Sequence, residues 1–289
     1  MVRRALALLV LAVLAGALLL AGCAVKGLAP AAPAEELRAV PGGENLTVRF
    51  ISVGQGDAIL LNKGNFSVLV DGGKAGSEEA IFLEMNSTGD RSIELVVATH
   101  PDSDHIGGLT GVLRECNFTN VWDSGIAEDT ESYRSYISQA NRGNLAYPKR
   151  GDFFNFSGIE ISILNPGKGA GGLEKNENSV VLWIKYGSFS LLLTGDCEGS
   201  CETELAVPDV DVLKVAHHGS KYATSAKFVS IARPELSVIS VGLRNPYGHP
   251  ANETIKRLEA VGSNVLRTDL DGTVVLTTDG KNGFAASPN

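Results

Sequence analysis

The chain has 289 residues, 44% of them hydrophobic and 20% charged, with a formal net charge of −8. This composition fits one globular domain of moderate size, or two small ones, and excludes collagen-like, disordered and polytopic membrane classes. The acidic balance also argues against indiscriminate binding of polyanions.

At the start, Arg3 and Arg4 precede an almost wholly apolar run over residues 5–20, followed by Leu20-Ala21-Gly22-Cys23. A basic start, an apolar stretch and small residues predict a signal peptide over 1–22. A single transmembrane anchor is the alternative, although the run sits at the low edge of the roughly 17–25 residues a span needs. The Leu-Ala-Gly-Cys end resembles the lipobox of bacterial and archaeal lipoproteins. It implies lipidation of Cys23 and an exported chain held at the outer face of the cytoplasmic membrane or the cell surface. Residues 24–45, rich in Ala, Pro, Gly and Glu, then read as a flexible tether.

The remaining cysteines are Cys116, Cys197 and Cys201, an odd number that cannot pair fully within one chain. Cys197 and Cys201 either close a small loop disulfide in an oxidising compartment or stay reduced. Six Asn-x-Ser/Thr sequons begin at Asn45, Asn65, Asn86, Asn117, Asn155 and Asn252, an excess that suits an exported surface.

From residue 46 the pattern predicts strands over 46–52, 58–62 and 66–70, the first two joined by the Gly-rich turn Gly54-Gln55-Gly56-Asp57 and the third ending in Asp71-Gly72-Gly73. A helix over 77–85, a buried strand over 94–98 and a helix over 106–116 come next. Residues 122–150 are polar and hold a helix around 131–141. Strands follow over 159–164, 179–186 and 189–193, the last two joined by Gly187-Ser188, a hairpin signal. Later come a strand over 212–216, a helix over 223–232, a strand over 236–241 and a helix opening at Pro250. Two more strands flank 269–272. No linker interrupts 46–284, so this stretch reads as one α/β domain with helices outside stacked sheets.

The residues able to do chemistry gather at strand ends. His100, Asp102, Asp104 and His105 fall within six residues, after a buried strand and before a helix. Imidazole and carboxylate together suit zinc, manganese or iron rather than calcium. The plain alternative is a helix cap by Asp102 or Asp104. Asp196 ends another apolar strand, His217 and His218 a third, and His249 stands beside a glycine just before a helix. Each has an ordinary explanation alone, as a turn cap, a buried histidine or a loop residue, but all five histidines of the chain lie in these motifs.

In this order, Gly-Gln-Gly-Asp, Asp-Gly-Gly, His-x-Asp-x-Asp-His, Thr-Gly-Asp, His-His-Gly-Ser and Gly-His-Pro resemble the metallo-β-lactamase superfamily, most of all the soluble domain of the ComEC competence proteins. The resemblance covers about residues 46–278 and implies an αββα sandwich with a metal site at one edge. It implies His100 and Asp102 at a first metal, Asp104 and His105 at a second, and Asp196 bridging both. His217 and His249 would complete the sites, with His218 able to replace His217. Gln55, Asp57 and Asp71 would support the ligand loop. Many superfamily members carry one more histidine before the bridging aspartate, and residues 176–179 hold none. The cofactor implied is one or two divalent ions, zinc or manganese, which can lower the pKa of bound water to about 7. Asp104, His218, Ser220 and Lys221 are the candidates for steadying charge or protonating a leaving group.

The leading expectation is therefore an extracytoplasmic phosphodiesterase or nuclease with DNA or another phosphodiester as substrate. A local excess of basic residues over 212–268 is compatible with this. Hydrolysis of a small ester, lactam or surface phosphodiester, or a catalytically silent metal-containing binding module, are the alternatives. With one apolar segment the chain forms no translocation channel, so a role in uptake or export requires a separate membrane partner.

Overall fold

Leu46, Val48 and Phe50 are buried, and Thr47 and Arg49 between them are half-buried. This period of two makes β1 (Leu46–Phe50) a strand with one face on a core. The structure, a computed structural model, describes residues 44–86, 91–167 and 174–289. The predicted signal peptide, Cys23 and nearly all of the predicted tether lie outside the described residues.

β2 (Ile59–Lys63) and β3 (Phe66–Val70) continue antiparallel from β1. After α1 (Glu78–Asn86) the chain changes to parallel crossovers: β4 (Ser92–Ala98), the short helices α2 (Ser103–Ile106) and α3 (Leu109–Glu115), β5 (Asn117–Asp123), α4 (Glu131–Ala140) and β6 (Asn144–Ala146). The second half repeats the plan. β7 (Phe153–Phe156), β8 (Ile159–Asn165), β9 (Val181–Tyr186) and β10 (Phe189–Leu193) form an antiparallel meander. Then α5 (Ser200–Glu204), β11 (Val212–Lys214), α6 (Ala226–Ala232), β12 (Leu236–Ile239), α7 (Asn252–Ala260) and β13 (Asn264–Arg267) follow, the strands parallel to β10. After α8 (Thr268–Asp271), β14 (Val274–Thr278) and β15 (Phe284–Pro288) return to the first sheet.

The two sheets run β15-β14-β1-β2-β3-β4-β5-β6 and β13-β12-β11-β10-β9-β8-β7. Their facing residues, among them Phe50, Leu61, Val70 and Val97 from one and Ile161, Leu182, Leu191 and Val238 from the other, form the central core. Leu60, Leu69 and Val96 point outward to α1, α3 and α4. Leu192 and Leu213 point outward to α6 and α7. The result is an α/β single domain of four layers, αββα, with each buried aliphatic side chain contributing roughly 1.5–3 kcal/mol.

The structure differs from the sequence reading in places that have physical causes. The helix predicted over 106–116 is broken at Gly107-Gly108 into α2 and α3. A Cβ at Gly108 would lie 2.0 Å from the carbonyl oxygen of Gly72, so backbone meets backbone there. β5, β6, β7 and β15 were not predicted; β6, β7 and β15 have no buried residue, the first half of β5 is half-exposed, and β7 is only four residues long.

Candidate metal centre

In parallel β-structure, functional groups collect where strands end and crossovers begin. β3, β4, β10, β11 and β12 all deliver their C-terminal residues to one edge of the sandwich. That edge holds all five histidines.

Asp71, just past β3, has φ 59°, a left-handed backbone that costs a non-glycine residue roughly 1–2 kcal/mol. Three hydrogen bonds offset this. Its fully buried carboxylate accepts from the Thr99 backbone N–H at 2.8 Å, the Thr99 hydroxyl at 2.7 Å and His105 Nδ1 at 2.8 Å. The loop carrying His100 to His105 is thus fastened to β3. The Gly72 N–H donates to the His105 carbonyl at 2.7 Å, and a Cβ at Gly56 would lie 2.2 Å from the Asp104 carbonyl. Asp102 stands at the N-terminal end of α2 but its side chain caps nothing. It pairs with Lys175 and lies 3.5 Å from His100 Nε2.

On the opposite side, Asp196 follows β10 and is almost fully buried. His217 and His218 occupy a single turn after β11 with φ 48° and 52°. Two successive left-handed histidines are the kind of strain that persists at a site where side-chain placement matters. They send their rings to different places. His218 Nδ1 donates to the Ser240 carbonyl at 2.9 Å, while Nε2 lies 3.5 Å from both Asp104 and Asp196. His217 pairs through Nδ1 with Glu198 at 2.9 Å, and its Nε2 lies 3.7 Å from Asp196. Cys197 and Cys201 are disulfide-bonded, so Glu198 belongs to a closed loop beginning next to Asp196. His249 lies with its ring centroid 5.5 Å from that of His217, and its Nδ1 is buried without a hydrogen-bond partner.

The Nε2 atoms of His100, His105 and His218 and Oδ1 of Asp196 are likewise buried and unpartnered. His105 Nε2 is 3.4 Å from Asp196 Oδ1, and His100 Nε2 is 3.8 Å from Asp196 Oδ2. With Nδ1 of His105 and His218 donating to protein acceptors, Nε2 is the nitrogen left for a metal to take in place of a proton. Ligand bonds of about 2.0–2.2 Å place neighbouring donors about 3.4 Å apart around a tetrahedral ion. The observed spacings are of that size, so the donor set fits a divalent ion. Asp57, His105, Asp196 and His218 form a group whose donor atoms lie within 4.8 Å of one another. Asp104 reaches the same point through His218. His100 and His217 approach Asp196 Oδ2, the oxygen that His218 also faces, more loosely at 3.8 and 3.7 Å, and Asp102 joins them through His100.

Asp57 is better described as a support than as a ligand. Its carboxylate pairs with Lys214, a lysine with no exposed surface, and faces His218 Nδ1 at 3.3 Å and His105 Nδ1 at 3.9 Å, the backs of both rings. Gln55 accepts from the Gly242 N–H at 3.2 Å and lines the hollow with Asp104 and Tyr247. The Ser220 hydroxyl accepts from the Tyr222 N–H at 3.3 Å, so it stabilises the turn after the histidines and faces the outer cleft rather than the ion group. Lys221 is exposed beside it.

The electrostatics are those of a site that wants cations. Burial raises the carboxyl of Asp196, but His218, His105 and His100 override this and hold it well below its ordinary range. Burial opposes protonation of His218, yet Asp196, Asp104 and Asp57 push it up to about 9. His105 is raised in the same way by Asp196 and Asp71, against burial. Asp102 is held at about 2 by His100 and Lys175 despite burial. His249 goes the other way, lowered by burial and then by the charges of His217 and His218.

Sequence reasoning did not find Glu198, Lys214, Thr99 or Lys175. Lys214 carried a readable signal, a lone charge inside the apolar run Val212-Leu213-Lys214-Val215-Ala216. Glu198 carried one only through its position between two cysteines.

Known proteins resemble this chain in sequence and in fold. The chain is 30% identical over 251 residues to ComE operon protein 3 of Bacillus subtilis, covering 78% of this chain and 32% of that protein. It is 32% identical over 242 residues to competence protein ComA of Neisseria gonorrhoeae, covering 82% and 33%. The chain thus spans about a third of the length of the curated relatives it matches. Among solved structures, the metallo-beta-lactamase fold protein YhfI of Bacillus subtilis superposes with TM-score 0.53 at 12% identity, covering 81% of this chain and 100% of that one. CmlA, a diiron beta-hydroxylase of Streptomyces venezuelae, superposes with TM-score 0.54 at 13% identity, covering 83% and 55%. Residues 51–242, most of the folded unit and including every candidate donor except His249, match the metallo-beta-lactamase superfamily, and the chain belongs to that superfamily.

Proposed function

We propose that the chain is an exported, lipid-anchored phosphodiesterase that cleaves nucleic acid with the help of one or two divalent ions, zinc or manganese. The observation that carries this reading is the convergence of unpartnered, buried Nε2 atoms on the two oxygens of Asp196. The substrate class is supported by the two competence proteins that this chain resembles along most of its length. Export is supported by the basic, apolar and Cys23 sequence at the start and by the Cys197–Cys201 disulfide, which belongs in an oxidising compartment.

Asp104, His105, His218 and Asp196 would hold one ion, and His100, Asp102, His217 and Asp196 a second. Bound there, the metal supplies a nucleophilic water at neutral pH and positive charge for a phosphoryl oxygen. The protein's own part is preorganisation. Asp71 and the Ser240 carbonyl fix the tautomers of His105 and His218 by holding Nδ1–H. Lys214 compensates the charge of Asp57 so that this carboxylate stays behind the rings. His249, neutral at pH 7 because its pKa is lowered, faces the same hollow and offers a ring nitrogen to an ion or to a substrate oxygen.

The test is metal content together with hydrolysis of a generic phosphodiester, single-stranded DNA and duplex DNA in added Mn²⁺ or Zn²⁺. Cleavage is expected to need metal and to fall about 10²–10³-fold in His105→Ala and Asp196→Ala, the scale of losing an essential electrostatic group. Turnover confined to a lactam or carboxylic ester points to a small-molecule hydrolase. Bound metal without turnover points to a silent binding module, and absence of metal rejects the site.

A further inference from the structure

Beside the ion group, and sharing His217, His249 and Tyr247 with its hollow, opens a cleft of about 570 Å³. Its rim carries two tyrosines that the fold leaves in solvent, Tyr222 at 75% exposure and Tyr247 at 62%. We propose that this cleft is a base-stacking subsite for single-stranded nucleic acid, with Tyr222 and Tyr247 as the platforms. The inference rests on the phosphodiesterase reading and specifies how that site selects its substrate.

Each ring is already set for a planar ligand. Tyr247 stacks on His249 with centroids 5.8 Å apart and planes 29° apart, so one face is supported and the ring is held near the ions. The Lys221 ammonium lies over one face of Tyr222, 4.9 Å from the ring centroid, so that this face is covered as His249 covers one face of Tyr247 and the opposite face is the one left for a base. Glu253 also lines the cleft, so its walls carry both signs. Recognition there depends on ring faces more than on polyanion attraction, in keeping with the acidic chain. A duplex keeps its base faces stacked internally and offers none to a tyrosine, whereas a single strand offers every one. A base stacked on Tyr247 places its own phosphodiester beside His217 and His249, at the mouth of the ion group.

The test is fluorescence anisotropy with the metal-loaded chain and labelled oligonucleotides whose phosphorothioate linkages resist hydrolysis, with bases or abasic. The wild type is expected to bind the base-bearing single strand about tenfold more tightly than the abasic one, within the range for removal of a stacked base. Tyr222→Ala and Tyr247→Ala are expected to bring that ratio toward one, and Tyr222→Phe and Tyr247→Phe to restore it. Both side chains are exposed, so these variants fold. Equal affinity for base-bearing and abasic strands in the wild type, or a ratio that survives both alanine changes, overturns the proposal. A sugar-phosphate polymer without bases that binds as tightly as the oligonucleotide overturns it too. Metal-dependent hydrolysis of ordinary phosphodiesters, measured separately, decides the phosphodiesterase reading: its absence with base-dependent binding intact removes that reading and leaves the stacking subsite standing.

Discussion

His105 and His218 are fully buried rings whose Nδ1 sides are held by Asp71, Asp57 and the Ser240 carbonyl, whereas His217 is 25% exposed and is held by Glu198, itself 24% exposed. Asp196 serves both. On the inner side the rings of both histidines are positioned by buried acceptors. On the outer side Asp102 is shared with Lys175, and His217 depends on a disulfide-closed loop. Residues 176–179 hold no histidine, and on this outer side His217 approaches Asp196 from the turn after β11, with a left-handed backbone and a support that is local rather than built into the core.

The sharpest way to break this comparison is to unbalance the inner support. Lys214→Met leaves the Asp57 carboxylate buried without its partner, and removing one member of a buried pair costs roughly 3–5 kcal/mol. Urea unfolding of the metal-free chain is expected to show a loss of that size, and Asp57→Asn combined with Lys214→Met to recover most of it. A loss under about 1 kcal/mol would mean that Asp57 is not held as a charge and that the inner side is no more preorganised than the outer.

Next in size is Asp71→Asn. It keeps the side-chain shape and a weaker hydrogen bond but removes the charge that fixes His105. Metal affinity, read by competition with a chelator, is expected to fall by about 100-fold, the upper end for loss of a group that orients a ligand. Unchanged affinity would show that the Gly72 and Gly108 backbone contacts alone place the loop.

The candidate residues of both sides also show what the sequence could reveal. His100, Asp102, Asp104, His105, Asp196, His217 and His218 were visible because charged or imidazole side chains soon after apolar strands are conspicuous, and His249 because it stands beside a glycine just before a helix. The layered αββα arrangement was legible from the alternation of strands and helices with the motif order. The division of labour was not. Whether His217 or His218 joins the inner group depends on which way two left-handed residues turn their rings. The meeting of Asp57 with Lys214 depends on the connection between β1 and β2 of one sheet meeting β11 of the other. Residues 117–123 hid as a strand because Asn117, Thr119 and Asn120 interrupt the apolar run that Val121 and Trp122 complete.

A pH series tests the inner side through His218. The pKa of His218 in the metal-free fold is raised to about 9 against an ordinary 6.5. The stabilisation it brings is therefore fully present below about pH 6.5 and is lost as pH rises through about 9. An ion must displace that same proton, and the one that His105 holds, so inner affinity is expected to rise by at least about tenfold per unit from pH 7 toward pH 9. Thermal unfolding with and without metal reads both slopes, with the metal-free midpoint falling and the increment from metal growing. A flat increment over this window would mean that His218 is not a ligand.

The smallest effect expected is the one most specific to the outer side. Glu198→Gln keeps a hydrogen bond to His217 but loses its charge, and Cys197→Ser with Cys201→Ser opens the loop that carries it. Because both side chains of the pair are partly exposed, the effect belongs at the lower end of the range for such supports, about tenfold in affinity. It should fall on the weaker of two ions and leave the tighter one alone. Calorimetric titration of Mn²⁺ distinguishes the outcomes: a second, weaker binding step that shifts alone in both variants makes the outer position a conditional site held by Glu198. If both steps weaken together, the two halves of the centre are one coupled unit and their different degrees of burial do not translate into different affinities.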